Sequence, residues 1–145
     1  MTSPRSGCSS STTKKTQVLW NGGGGRTIFF QCEPPYDPPT QALWMNGSEN
    51  GYPCYQVADD VRTHHATGLI SWVLFFAGPM RVHSAYKAPV TPGVRFRSAA
   101  AGKIALGGGF ENTFNDDGLY ADDRGPASPA FGLSALRQVP YYPAP

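Results

Sequence analysis

Val94, Arg95, Phe96 and Arg97 alternate apolar and charged side chains, so that Val94 and Phe96 share one face and both arginines share the other. Period two marks a half-buried strand. The stretch around it, APVTPGVRFRSAAAGKIAL (88–106), reads as a strand, a turn at AAAG and a second strand, a bare hairpin. Similar runs recur along the chain. TQVLW (16–20) and RTIFFQC (26–32) read as strands around the glycines 22–25, which serve as a turn or a close backbone approach. QALWMNG and PCYQVADD are further strand candidates, with NGS (46–48) a turn and turn chemistry at Asp59 and Asp60. LISWVLFFAG and MRVHSAYK follow, divided at Gly78 and Pro79. The apolar run 68–80 is shorter than the roughly 20 residues of a membrane helix and reads as a buried strand. ASPAFGLSALRQVPYY supplies a last strand or a short helix through Ser134–Arg137. The proline-rich CEPPYDPPTQ is excluded from any central strand.

About eight short strands, with turns every roughly eight to twelve residues, predict an all-β fold. A small sandwich or barrel is expected, with extended N- and C-terminal arms. The expected organisation is an arm over 1–17, a β-rich domain over 18–139 and a Pro/Tyr tail over 140–145. The first segment, MTSPRSGCSSSTTKKTQ, lacks the apolar centre of a secretory leader, so folding in a cytoplasm is the default expectation.

Composition supports this without adding chemistry. The 145 residues are 40% hydrophobic and only 15% charged, with 17 Gly and 14 Pro. The size suits one domain, and the glycine and proline content favours loops and short strands over helix. Net charge is +2, but the charges are segregated. Residues 1–32 carry Arg5, Lys14, Lys15 and Arg26 with no acid, and 61–110 carry Arg62, Arg81, Lys87, Arg95, Arg97 and Lys103 with no acid. Glu111, Asp116, Asp117, Asp122 and Asp123 then follow with no base among them. The bland interpretation is a solvated surface. The sharper one is a set of complementary partner contacts: Arg5, Lys14, Lys15, Arg95 and Arg97 on one side, Asp116, Asp117, Asp122 and Asp123 on the other, and Tyr141 and Tyr142 in a docking tail.

The chemical motifs are thin. Arg26 stands where a phosphate loop needs lysine, and no helix pattern follows. His64 and His65 are adjacent, so on a strand they point to opposite faces, and Cys32 and Cys54 lack paired metal-ligand spacing. A Cys32–Cys54 bridge is open but weakly supported. Aligning Gly118 with the invariant glycine of a calcium loop puts Thr113 and Arg124 at ligand positions, which excludes that loop and leaves only an irregular cation site among the four aspartates. There is no G-x-S-x-G elbow. Metal, cofactor and catalytic residues are all expected to be absent. Arg81, Lys87, Arg95, Arg97 and Lys103, interleaved with Tyr86 and Phe96, raise single-stranded nucleic-acid binding as an alternative. Phe96 lies on the face opposite the arginines, which disfavours it.

The order of a G-x-P-x-Y strand at 51–55, GLISWVLFFAG at 68–78, the APVTPGVRF segment and AAAGK resembles the β-rich decoration, or cement, proteins of tailed-phage capsids. That resemblance covers residues 51–106 and departs at the aromatic LISWVLFF. It implies a non-enzymatic structural protein of the bacteriophage virion, made in the host cytoplasm. Such a protein binds the major capsid protein or another shell protein, forms a homotrimer, ties neighbouring subunits together and has no membrane contact. The alternative is a generic β domain with another binding role. If Phe96 faces the core, Phe96→Asp abolishes the cooperative thermal transition; a variant that still melts cooperatively near the wild-type temperature would put the strand inside out.

Overall fold

The structure, a computed structural model, describes residues 15–104, 107–127 and 133–144. The strands are β1 (Val18–Trp20), β2 (Gly25–Cys32), β3 (Met45–Asn46), β4 (Glu49–Asn50), β5 (Tyr55–Val57), β6 (His64–Val73), β7 (Arg81–Lys87), β8 (Val94–Ile104), β9 (Gly109–Phe114) and β10 (Leu133–Tyr142). The fold is all-β, as the alternation implied. One short 3-10 turn, Gln41–Leu43, is capped by the Thr40 side chain, which accepts from the Leu43 N–H.

Eight strands form two four-stranded sheets, ordered β1-β5-β7-β9 (sheet A) and β10-β8-β6-β2 (sheet B); β3 and β4 make a separate hairpin. The chain visits the sheets in alternation, and successive strands within a sheet run parallel. Each A strand followed by a B strand is therefore one coil of a parallel β-solenoid, and the two sheets face each other as a small sandwich. Only β10 runs antiparallel, along β8.

The register stacks three unusual backbones. Phe29 (φ 59), Gly68 (φ 73) and Ser98 (φ 52) fall opposite one another on β2, β6 and β8. Each left-handed residue bends its strand and shifts the side-chain phase by one. Hence Val94 and Phe96 point inward before the bend, and Ala99 and Ala101 after it. The same shift on β6 puts His64 and Ala66 inside, then Leu69, Ser71 and Val73. Inward columns run Gly25–His64–Val94, Thr27–Ala66–Phe96, Phe30–Leu69–Ala99 and Cys32–Ser71–Ala101. Gly25 has no Cβ because one would run into the Trp20 indole and the His64 ring.

This corrects the hairpin expected at 88–106. The small residues 99–102 make no turn; they are the inward and outward positions of one long strand, β8, and their size lets Tyr86 reach across and donate to the Ala100 carbonyl at 2.7 Å. Asn46, Gly47 and Ser48 do form a turn, with Gly47 at φ 64.

Aromatic rings fill the space between the sheets. Phe96 meets Phe114 at 5.0 Å and Tyr55 at 6.3 Å, both edge-on, and Tyr142 stacks on Phe114 at 4.2 Å and 5°. Phe96, Phe114 and Tyr55 are fully buried, and each contributes on the order of 1.5–3 kcal/mol through lost water contact. Tyr142 explains why residues 140–142, assigned from sequence to a tail, are the last of β10. Pro140 falls opposite Ser98 on this edge strand, where its missing N–H is tolerated.

The bend ladder predicts opposite outcomes at two of its positions. Gly68→Val forces a β-branched residue to positive φ and lowers stability by about 1–3 kcal/mol, whereas Ser98→Gly relieves a strained residue and stays within about 1 kcal/mol of wild type or above it. Urea midpoints measure both; an unchanged midpoint for Gly68→Val contradicts the role assigned to the ladder.

Candidate functional site

Two places on the molecule gather chemistry, at opposite ends of the coil. The first is where the chain leaves sheet B. Cys32 pairs with Ser71, which sets Glu33 beside Trp72. The Trp72 indole N–H donates to one Glu33 carboxylate oxygen and the Tyr36 hydroxyl to the other. Gln17 Nε2 donates to the Glu33 carbonyl at 2.6 Å, and the Phe76 N–H donates to the Tyr36 carbonyl at 2.8 Å. The Tyr36 and Phe76 rings meet edge-on at 5.9 Å, and Phe76 is 66% exposed. Prolines 34, 35 and 38 are buried and fix the loop. The result is a half-buried carboxylate among a Trp, a Tyr and an exposed Phe. A tyrosine hydroxyl can donate to a carboxylate, so Tyr36 and Trp72 together fix the orientation of the Glu33 carboxyl. Aromatic walls around a few placed polar groups are the usual lining of a small-molecule site.

The second is where the chain leaves sheet A, an open cleft of about 560 Å³ lined by Gln56, Asp59, Lys87, Asn115, Asp116, Asp117 and Tyr142 among others. Most of these groups are already engaged. Asn115 Nδ2 donates to the Ala88 carbonyl at 2.9 Å and the Tyr142 hydroxyl at 2.7 Å, and its Oδ1 accepts from the Ala88 N–H. Lys87 pairs with Glu49 at 2.5 Å. Asp116 accepts from His83 at 2.7 Å, and Glu111 and Glu49 lie 3.7 and 3.8 Å from the same ring. This cluster ties the β3–β4 hairpin to the outer face of β7 and β9.

The residues expected to contact partners are distributed as follows. Arg5 and Lys14 lie outside the described residues. Lys15, Arg95 and Arg97 are exposed. Tyr141 is half exposed, with the Arg97 guanidinium 5.3 Å from its ring. The acidic run does not gather into one patch. Asp117 accepts from the Thr113, Phe114 and Leu119 N–H groups at 3.1, 2.9 and 2.9 Å; burial nevertheless pushes its carboxyl above the usual value. Asp122 is buried between Arg81 (2.8 Å) and Arg124 (2.6 Å). Burial alone would raise it, but Arg124 and Arg81 hold it below the ordinary carboxylate range. Burial opposes ionisation of Asp123 as well, and is outweighed by Lys103 and the Gly108 N–H. Among the described residues no group of three or more His, Cys, Asp or Glu is arranged to hold a metal, and Cys32 and Cys54 are buried thiols. The sequence reading passed over Glu33, Tyr36 and Trp72. The signal it could have used is a glutamate and a tyrosine three apart on either side of a proline pair.

No protein-family model matches the chain. It is 40% identical over 105 residues, 72% of its length, to an exo-β-1,3-glucanase of Streptomyces sp. SirexAA-E, and that match takes in 17% of the relative. The solved structure of sacteLam55A from Streptomyces sp. SirexAA-E superposes on 90% of the chain with TM-score 0.73 and 36% identity, over 22% of its own length. A variant of sacteLam55A in complex with glucose gives TM-score 0.73 and 35% identity, again with 90% of this chain and 22% of that one covered. The chain thus spans about a fifth of the relatives it matches.

These matches overturn the capsid reading. The decoration-protein resemblance, the virion location, the shell partner, the trimer and the non-enzymatic role all rested on short motifs of common residues over 51–106. The glucanase match runs over 105 residues at 40% identity and is accompanied by the same backbone path. The generic binding domain and the nucleic-acid alternative fit these relatives no better. Phe96 is buried, away from Arg95 and Arg97, which removes the aromatic half of the nucleic-acid argument.

His64 and His65 do point to opposite sides, the first buried and the second exposed. His64 Nε2 lies 2.8 Å from the Tyr55 hydroxyl, which lies 2.7 Å from Thr27 Oγ1. Burial, and secondarily the charge of His65, lowers the His64 pKa from 6.5 to about 4. The unfolded chain therefore takes up this proton near pH 6.5 and the folded chain only near 4. The contribution is complete above about 6.5 and is lost as pH falls through that window, by up to roughly 3 kcal/mol. Urea unfolding from pH 7 to 4 measures the slope, and His64→Phe removes it; an identical slope in the variant would assign the effect elsewhere.

Proposed function

We propose that this chain handles β-1,3-glucan as the β-solenoid portion of a glucan-hydrolysing enzyme, with Glu33 as one of its two working carboxyls. The match to an exo-β-1,3-glucanase over 72% of the chain carries the reading. The site supports it independently. Cleavage of a glycosidic bond uses a pair of carboxyl groups flanking the bond, and a pyranose presents apolar faces that suit aromatic surroundings. Of the three glutamates, Glu49 and Glu111 are absorbed in the contacts around His83, Lys87 and Asn50. Glu33 is held by Trp72 and Tyr36 next to the exposed Phe76. The Trp72 N–H and the Tyr36 O–H keep the carboxyl in place.

The test is titration of the protein with laminarin oligosaccharides, followed by tryptophan fluorescence, with glucose release read in parallel. Binding should perturb Trp72 emission, and Glu33→Gln should reduce glucose release by about 10²- to 10⁴-fold while leaving the thermal transition in place. Absence of both binding and release sinks the proposal; binding with equal release by Glu33→Gln removes Glu33 from the chemistry.

A further inference from the structure

The outer face of the first half of sheet B carries positive charge with no counter-charge of its own. Arg26, His65 and Arg95 are direct cross-strand neighbours on β2, β6 and β8, and all three are exposed. Adjacent strands lie about 4.8 Å apart, so these side chains form a ladder with one rung per coil. The next outward column is Ile28, Thr67 and Arg97, continued by Tyr141 across from Arg97. Neither column contains an acid. The Arg95 guanidinium donates to the Thr91 and Val94 carbonyls, both at 3.2 Å and both neutral.

The acids of the run 116–123 are taken up elsewhere. Asp122 is taken by Arg81 and Arg124, Asp123 by Lys103, Asp116 by His83, and Asp117 by three backbone N–H groups. Arg26 and Arg95 flank His65 and Arg97 stands in the next column, so three guanidinium groups share one face.

We propose that this face binds an anionic polysaccharide, a glycan bearing carboxylate or sulfate groups, laid along the stacking axis of the coils. Guanidinium groups recognise such oxyanions through paired N–H donors. Guanidinium groups spread over three coils suit a polymer with repeating charge better than one small anion. The face is a sheet surface and not a pocket, so it gathers many weak contacts along a strand. Ile28 and Tyr141, 69% and 51% exposed, offer apolar surface for sugar-ring faces beside the charges. Single-stranded nucleic acid is disfavoured because it calls for several successive stacking aromatics, and these two columns hold one, Tyr141. The inference is independent of Glu33 and of hydrolysis.

Native affinity electrophoresis tests it, with sodium polygalacturonate for the carboxylate arm, sulfated laminarin for the sulfate arm, and unmodified laminarin and a single-stranded oligonucleotide as comparisons. Retardation by either anionic glycan, weakening as salt is raised and absent with unmodified laminarin, supports the proposal and identifies the group. The double variant Arg26→Gln, Arg95→Gln should bind at least roughly tenfold more weakly, as expected for losing two charge-assisted contacts. Thr67→Glu, which puts a negative charge in the middle of the face, should act in the same direction, and Arg62→Gln on the neighbouring turn should not. These positions are exposed, and unchanged thermal transitions will show that the fold is kept. No retardation by either anionic glycan, unweakened binding by the double variant, or equally tight oligonucleotide binding with the same losses overturns the proposal.

Discussion

The fold depends on one alignment: three left-handed residues, Phe29, Gly68 and Ser98, stacked in register on successive coils. A parallel pair has evenly spaced hydrogen bonds, so a bend in one strand survives only if its neighbour bends at the matching residue. A one-residue slip would place a bend against a straight strand and turn every inward side chain outward. The bend therefore fixes register, and register fixes what meets inside. It brings Thr27, Tyr55 and His64 into one hydrogen-bonded chain and sets Phe96 against Phe114.

The same alignment fixes the two faces of sheet B. Before the bend the outward positions of three coils line up as Arg26, His65 and Arg95; after it, Trp72 points outward one step past the Cys32–Ser71 pair and meets Glu33. Site and charged face are both consequences of side-chain phase. A strand contributes chemistry to one place or the other according to which side of residue 29, 68 or 98 it lies on.

Much of this was legible locally. Alternation at Val94–Arg97 gave the correct inward face, and Gly78–Pro79 marked the break between β6 and β7. Strand direction was not legible, because parallel and antiparallel neighbours share period two. The bend at Ser98 was also hidden. Serine carries no mark of positive φ, and the alanines after it resemble a turn until Leu69 and Ser71 are seen to lie beside Ala99 and Ala101. Glu33 was missed for a related reason. Its partner Trp72 is 39 residues away, and a proline-rich loop reads as filler until the register puts an indole against it. The acidic run misled in the opposite sense: five acids close in sequence look like a patch, yet four of them cap turns or pair with separate bases.

The ends of the stack are not equivalent, and this bears on how a chain of this length aligns within proteins four to five times longer. At the β9–β10 end both sheets stop. β10 runs antiparallel along β8, and residue 121 forms an antiparallel bridge with Phe110 of β9, with N–H···O bonds of 3.0 and 2.9 Å. The strand at that edge therefore runs against the direction of the coils. At the other end, β1 and β2 are the outermost strands, and Leu19, Ile28 and Phe29 are 54%, 69% and 71% exposed. Unpaired edges of this kind are normally covered or blunted. In a longer polypeptide built on this plan, a parallel coil can stack directly against β1 and β2. Such coils would extend the outward columns of sheet B in the same direction, so the geometry that places Arg26, His65 and Arg95 in a line also determines where that line can continue.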